Sequence, residues 1–217
     1  MKAFAFDLYA TLVDAGAVEK AAQKITKRAS EFVATWREKQ LEYTFLLGLM
    51  GRYLPFSEVT ARALDAAAAR EGLDLKAEVR DALLRSWREL PPHPDVVPAL
   101  ESLRPQVPLV VLTNAESAMA TDALKHAKLS GFFGHVLSAD EVRTFKPNPR
   151  VYRLAAMRLH LEPRDIGLVS ANPFDVMGAK AAGLRAIWVN RTGATFDHLE
   201  LNPDVEITDF AGLAAHV

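Results

Sequence analysis

The chain has 217 residues, half of them hydrophobic and 24% charged, which suits one large or two small globular units. A formal net charge of −1 with no basic block makes nucleic acid and an anionic membrane surface poor partners. Cysteine is absent, which excludes disulfides, thiolate metal sites and a cysteine nucleophile and fits a reducing, cytoplasmic setting.

The first apolar run, Lys2 to Asp7, predicts a strand buried on both faces, with Asp7 at its end. Asp7 and Asp14 interrupt that run, so it is not a signal peptide, and no apolar stretch approaches the roughly 20 residues of a membrane span. From Ala15 to about Leu90 the β signal disappears. Apolar residues recur at helical spacing, as in Leu41, Phe45, Leu49 and in Val79, Leu83, Trp87, which predicts a bundle of about four helices. Ser57 before Glu58 reads as an N-cap. Pro91-Pro92-His93-Pro94 then ends helix formation.

Beyond that break, strands and helices alternate. Strands are expected at Val107–Thr113, Val136–Ser138, Ile166–Ser170, Ala186–Asn190 and, at an edge, Val205–Thr208. Helices are expected from Ala115 to about Lys128, from Pro149 to about His160 and from Asp175 to about Ala182. This rhythm predicts an α/β fold: a Rossmann-like parallel sheet core with an inserted helical-bundle cap domain. The first strand belongs to that sheet, so the core is expected over residues 1–14 plus 93–217 and the cap over 15–92.

In such a sheet, ligands bind outside the carboxyl ends of the strands. The residues there are Asp7, then Thr113-Asn114, Lys146-Pro147 in a loop, Ser170-Ala171-Asn172 and Asp175. Singly each is ordinary: a strand-end Asp or Thr-Asn caps helices, and a Lys before Pro is commonly a solvated charge. Together they place a nucleophilic carboxylate, a hydroxyl, an amide, a cation and a second carboxylate around one crevice.

With these motifs in view, the chain resembles the haloacid dehalogenase superfamily along essentially its whole length. The resemblance rests on Asp7-Leu8-Tyr9-Ala10-Thr11, Leu112-Thr113-Asn114, Lys146-Pro147 and Ser170-Ala171-Asn172-Pro173-Phe174-Asp175. Within the predicted cap, the segment from Trp36 to Thr44, with Arg52-Tyr53 and Phe56, is similar to the L-2-haloacid dehalogenase branch. Phosphatase members carry an acid two residues after the nucleophile and gather carboxylates for Mg²⁺; here Tyr9 stands at the first place and the carboxylates are thinned to Asp7 and Asp175. No metal and no cofactor are therefore expected.

The resemblance implies hydrolytic dehalogenation of short L-2-haloalkanoic acids with inversion, through an ester on Asp7. It gives halide capture to Arg37 and Asn114, substrate-carboxylate binding to Thr113 and the amide of Leu8, and orientation of Asp7 to Lys146. Water would be positioned by Asp175, Asn172 and Ser170. Tyr9, Leu41, Phe56 and Phe174 would wall the site, with Tyr152 steadying Lys146 or Asp175. It also implies a homodimer. Departures are Thr113 for the branch's Ser, Ala10 for Gly, Glu38 for Gln and Phe174 for Trp; Glu38 sets an anion beside Arg37 in sequence. A Mg²⁺-dependent phosphatase, a hydrolase of another small 2-substituted acid, and a non-catalytic binding module are the alternatives.

Overall fold

A computed structural model describes all residues, 1–217. Six parallel strands form one sheet in the order β3-β2-β1-β4-β5-β6. They are β1 (Ala3–Phe6), β2 (Leu109–Thr113), β3 (His135–Ser138), β4 (Ile166–Ser170), β5 (Arg185–Val189) and β6 (Val205–Ile207). The order reverses between β1 and β4, so Asp7 stands at the crevice where such sheets bind ligands. Strand residues alternate between two cores. Phe4, Phe6, Leu109, Val111 and Ile187 point into one, and Ala5, Val110, Leu112, Leu168 and Trp188 into the other. Burial on both faces explains why these strands read as unbroken apolar runs.

Between β1 and β2 lie α1 (Glu19–Ala22), α2 (Ala29–Leu49), α3 (Phe56–Arg70), α4 (Ala77–Ser86) and α5 (Val96–Leu103). The sheet's remaining helices are α6 (Ser117–His126), α7 (Pro149–Leu159) and α8 (Pro173–Ala181). The helices of the insertion share one continuous apolar cluster with the Phe4–Phe6 face of the sheet. No helix is long and apolar enough to cross a membrane.

Two local expectations differ from the structure, and one helix, α5, had not been expected. Ser57 lies inside α3, whose N-cap is Pro55; its backbone N–H donates instead to Glu116 Oε2 at 3.1 Å. The buried stripe of α2 is Phe32, Val33, Trp36, Gln40 and Thr44, whereas Leu41 and Phe45 are half-buried and Leu49 is 86% exposed. The polar members Gln40 and Thr44 hid this face from a purely hydrophobic reading. Helix α5 carries Pro98, which is tolerated because it falls in the first turn, where the missing N–H has no intrahelical partner.

Gly178 in α8 lets that helix approach Tyr152 and Pro147. A Cβ there would lie 2.2 Å from the Tyr152 hydroxyl oxygen and 2.7 Å from Pro147 Cβ. Gly178→Ala is expected to lower stability by about 1–3 kcal/mol despite the better helix propensity of Ala, because the Tyr152 ring it would overlap is fully buried. Urea denaturation checks this; an unchanged or raised midpoint would refute it.

Candidate active site

The backbone at Asp7 is fixed by the sheet, its N–H donating to Val169 O at 3.0 Å. The side chain then meets three donors. Oδ1 accepts from the Lys146 ammonium at 3.1 Å. Oδ2 accepts from Thr11 Oγ1 at 2.9 Å and from Asn172 Nδ2 at 2.8 Å. A carboxylate oxygen has two in-plane lone pairs, so Oδ2 is filled and Oδ1 keeps one free.

Lys146 is brought in by its loop, whose backbone N–H donates to Asn114 Oδ1 at 2.8 Å. Its ammonium also donates to Asp175 Oδ2 at 2.8 Å, and Asp175 Oδ1 accepts from the Tyr152 hydroxyl at 2.9 Å. Burial works against the Lys146 charge, but the two carboxylates outweigh it and raise its pKa above the usual 10.5. Burial, the largest influence on Asp175, raises its pKa above 3.8; Lys146 opposes the shift and Asp7 adds to it. Tyr152 is pushed well above its ordinary value, chiefly by burial, and stays a hydroxyl donor.

Arg37 enters from α2. One of its N–H groups donates to Gln40 Oε1 at 2.5 Å, and Gln40 Nε2 donates in turn to Thr60 Oγ1 at 2.6 Å. Burial lowers its pKa while Asp7 and Tyr9 oppose the shift, and a guanidinium stays charged regardless. Tyr9 packs between Phe56 (ring centroids 6.1 Å apart) and Trp87 (5.5 Å), and its buried hydroxyl has no partner. Burial pushes its pKa upward, so it adds shape and apolar surface rather than an acid.

Asp7, Tyr9, Arg37, Leu41, Phe56, Thr113, Asn114, Lys146, Asn172 and Phe174 line one cavity of about 10 Å³, room for the centre of roughly one water. With Oδ1 held by Lys146, the Asn114 amide nitrogen has no protein acceptor. Thr113 Oγ1 accepts from Ala115 N at 3.2 Å, which leaves its hydroxyl proton free to donate. The amides of Leu8 and Tyr9 likewise donate to no protein acceptor.

The side chains of Leu8, Tyr152, Ser170 and Asp175 do not line this cavity; for Ser170 and Asp175 this departs from the expectation of a single shared crevice, whereas Tyr152 stands beside Asp175. They are fully buried behind it. Asp175 turns back towards Lys146 and Tyr152, and Ser170 Oγ accepts from Asn172 N at 3.1 Å. Glu38 is exposed and makes no bond to Arg37, because adjacent helix residues point about 100° apart. Two residues not singled out from sequence belong to the site. Thr11 was legible in principle, as a hydroxyl one turn beyond the nucleophile. Gln40 stands three residues after Arg37 on α2, a spacing that makes the two neighbours, and the packing of α2 on α3 brings Thr60 to its amide.

The carboxylates do not fit a Mg²⁺ site. The ammonium of Lys146 bridges Asp7 and Asp175, and nowhere do three His, Asp or Glu side chains gather at metal-holding spacing.

The family model for haloacid dehalogenase-like hydrolases matches residues 1–183. The chain is 39% identical over 210 residues to an (S)-2-haloacid dehalogenase of Pseudomonas sp. (strain YL), covering 96% of this chain and 90% of that protein. It is 36% identical to haloacetate dehalogenase H-2 of Moraxella sp. (strain B), over 95% and 93% of the two chains. Among solved structures, the L-2-haloacid dehalogenase of Xanthobacter autotrophicus with chloropropionic acid covalently bound superposes with a TM-score of 0.93 at 30% identity, over 99% of this chain and 97% of that one. A matching model over most of the chain, close relatives along nearly all of it and a strand-end carboxylate held by a lysine agree: the chain belongs to the haloacid dehalogenase-like hydrolase family.

Proposed function

We propose that this protein is a metal-independent (S)-2-haloacid dehalogenase that converts short L-2-haloalkanoic acids to 2-hydroxy acids with inversion. The observation that carries the reading is Asp7, with one free lone pair on Oδ1, facing a small cavity lined by apolar side chains and the Arg37 cation. Asp7 Oδ1 attacks C2 of the substrate from the side opposite the halogen; the C–O bond forms as the carbon–halogen bond breaks, and the halide leaves towards Arg37 and the Asn114 amide. A halide is the anion of a strong acid and needs no proton, so Tyr9 costs this step nothing. Thr113 and the Leu8 amide receive the substrate carboxylate. Tyr9, Leu41, Phe56 and Phe174 exclude water until the ester has formed.

In the second step water adds to Cγ of Asp7, and Asp175, the carboxylate that shares Lys146 with Asp7, accepts its proton. Charge then develops on Oδ2, where Thr11 and Asn172 already donate, so the two form an oxyanion hole. Collapse breaks the bond from Cγ to Oδ1, which leaves as the hydroxyl oxygen of the product and takes the proton from Asp175; the water's second proton leaves Asp7 for solvent as the carboxylate re-forms. Ser170 holds the backbone of Asn172, and Tyr152 holds Asp175. Residues 15–92 act as a cap domain over a core of 1–14 plus 93–217, and the enzyme is cytoplasmic. It is also a homodimer, which the exposed apolar end of α2 (Leu46, Leu49, Met50) beside Leu199 and Leu201 supports.

L-2-chloropropionate should release chloride and yield D-lactate, with the D enantiomer inert and the rate unchanged by prolonged chelation. Asp7→Asn should abolish the first step. Asp175→Asn should slow the second, so that mass spectrometry after substrate addition finds an adduct on the Asp7 peptide. A strict Mg²⁺ requirement, retained configuration, or no adduct in Asp175→Asn would each count against the scheme.

The pH profile follows from the two shifted groups. Asp175 must be ionised to accept a proton, and its pKa is raised above 3.8, so activity should fall as pH drops through a value higher than 3.8. Lys146 has a raised folded pKa, so its contribution is complete below 10.5 and is lost only as pH climbs through the higher folded value. Halide release measured against pH should therefore show a plateau reaching past 10.5 on the alkaline side. Loss of activity as pH rises through neutral would contradict the Lys146 assignment, and an acid limb at or below 3.8 would contradict that of Asp175.

For the dimer, sedimentation velocity should give twice the 23.9 kDa chain mass, and Leu49→Glu should shift it to monomer. A wild-type monomer at micromolar concentration would rule the homodimer out.

A further inference from the structure

The turn that follows Asp7 is unusual in where its carbonyls go. Ala10 has φ +65°, a left-handed conformation that costs a residue with a Cβ about 1–2 kcal/mol. Three consecutive carbonyls of this turn each receive a side-chain donor from a different part of the chain. Tyr9 O accepts from Asn172 Nδ2 at 3.2 Å, Ala10 O from His93 Nε2 at 3.2 Å, and Thr11 O from an Arg191 guanidinium nitrogen at 3.3 Å. Since a carbonyl only accepts, the proton of His93 is on Nε2. The flanking carbonyls of Leu8 and Leu12 are taken by backbone amides, at 2.9 Å from Leu12 and 3.1 Å from His93.

Arg191 is itself held in place. It lies two residues beyond β5, at the same end of the sheet as Asp7. Its other terminal nitrogen donates to Asp95 Oδ2 at 2.5 Å, and its guanidinium sits 5.1 Å from the centre of the Phe210 ring. Asp95 also accepts from the Phe210 amide at 2.8 Å. Burial alone would raise the Asp95 pKa, but that amide and Arg191 hold it below the usual carboxylate range, so the pair stays ionised. The guanidinium thus joins the start of α5 and the C-terminal segment to the turn. Neither Arg191, Asp95 nor His93 lines the cavity.

We propose that Arg191, fixed by Asp95, is a positioning residue of the reaction: it acts through the backbone of Thr11 to set the Thr11 hydroxyl on Asp7 Oδ2, and with His93 it holds the strained turn in place. The chain of contacts is short. Arg191 grips Thr11 O, Thr11 Oγ1 donates to Asp7 and accepts from Ala171 N at 2.9 Å, and Asp7 is left with its free lone pair on the other oxygen. A trans peptide sets C=O and the following N–H on opposite sides, so fixing carbonyls from behind also fixes the direction of the amides after them. Loss of the grip lets Thr11 and the carboxylate drift, and misplacement by about 1 Å costs on the order of 100-fold in rate. This role rests on the proposed attack by Asp7.

The test uses the full-length chain. Arg191→Ala should lower the single-turnover rate of chloride release from L-2-chloropropionate by about 10- to 100-fold, per active site titrated. Added guanidinium ion should recover part of the loss, because the pocket between Asp95, Phe210 and Thr11 is kept. Arg191→Ala combined with Thr11→Val should be no slower than Thr11→Val alone, since the two act in series. Arg191→Lys, which keeps charge and stem, should fall between wild type and Arg191→Ala, and it carries the test if the alanine variant does not fold. Hydrogen exchange of the peptide covering residues 8–14 should speed up in the Arg191 variants; this measurement needs no turnover. Additive losses in the double variant, unchanged kinetics per active site, or unchanged exchange would overturn the proposal. A wild-type protein that releases no halide, with exchange behaving as expected, would instead overturn the reaction and leave the clamp standing.

Discussion

One ammonium group holds the candidate site together. The Lys146 side chain, 1% exposed, lies between the carboxylates of Asp7 and Asp175, whose side chains are 10% and 0% exposed. Two carboxylates this deep would repel one another and one would take up a proton; the cation between them lets both stay charged. Breaking a buried pair by removing one partner costs about 3–5 kcal/mol, so Lys146 carries stability as well as orientation. The triad is left with one net negative charge, and Arg37 across the cavity balances it. An anionic substrate therefore meets a site that is neutral overall, with the cation displayed and the carboxylates tied down.

That arrangement also separates the roles of the two carboxylates. Asp7 spends both lone pairs of Oδ2 on Thr11 and Asn172 but only one of Oδ1 on Lys146. Asp175 stands behind the cavity wall, where it is more basic than an ordinary aspartate. Similar chemistry in the two side chains is differentiated by depth and by the count of donors on each oxygen.

The helices of the insertion are coupled to the site through aromatic packing. Tyr9 stacks on Phe56 of α3 and meets Trp87 edge-on, and Trp87 meets Trp36 of α2 at 5.7 Å, one residue before Arg37. The turn after the nucleophile and the arginine opposite it are thus fixed against the same rings. Such pairs add about 0.5–1.5 kcal/mol each beyond the area they bury. Two residues after Asp7 the chain thus places a buried phenol and no acid.

Much of the fold was legible because its signals are local. Unbroken apolar runs, the break at Pro91–Pro94 and the strand-end polar residues pointed to alternating strands and helices and set Asp7, Thr113-Asn114, Lys146 and Asn172 at one edge of the sheet; a strand has a fixed direction, so its last residue has a fixed address. Local signals failed where burial is decided by a neighbour. Gln40 and Thr44 are polar yet form the inner face of α2, Leu49 is apolar yet exposed, and Ser57 could have capped α3 had the helix begun at Glu58 and not two residues earlier, at Phe56. The contacts of His93, Asp95 and Arg191 span 83, 96 and 180 positions of sequence separation and leave no periodic trace. By itself the sequence determined which chemical groups the chain carries to the mouth of the sheet. Only the tertiary structure decided which of them face the cavity, which are held behind it and which oxygen of Asp7 is free, because those depend on side-chain directions set by packing between distant segments.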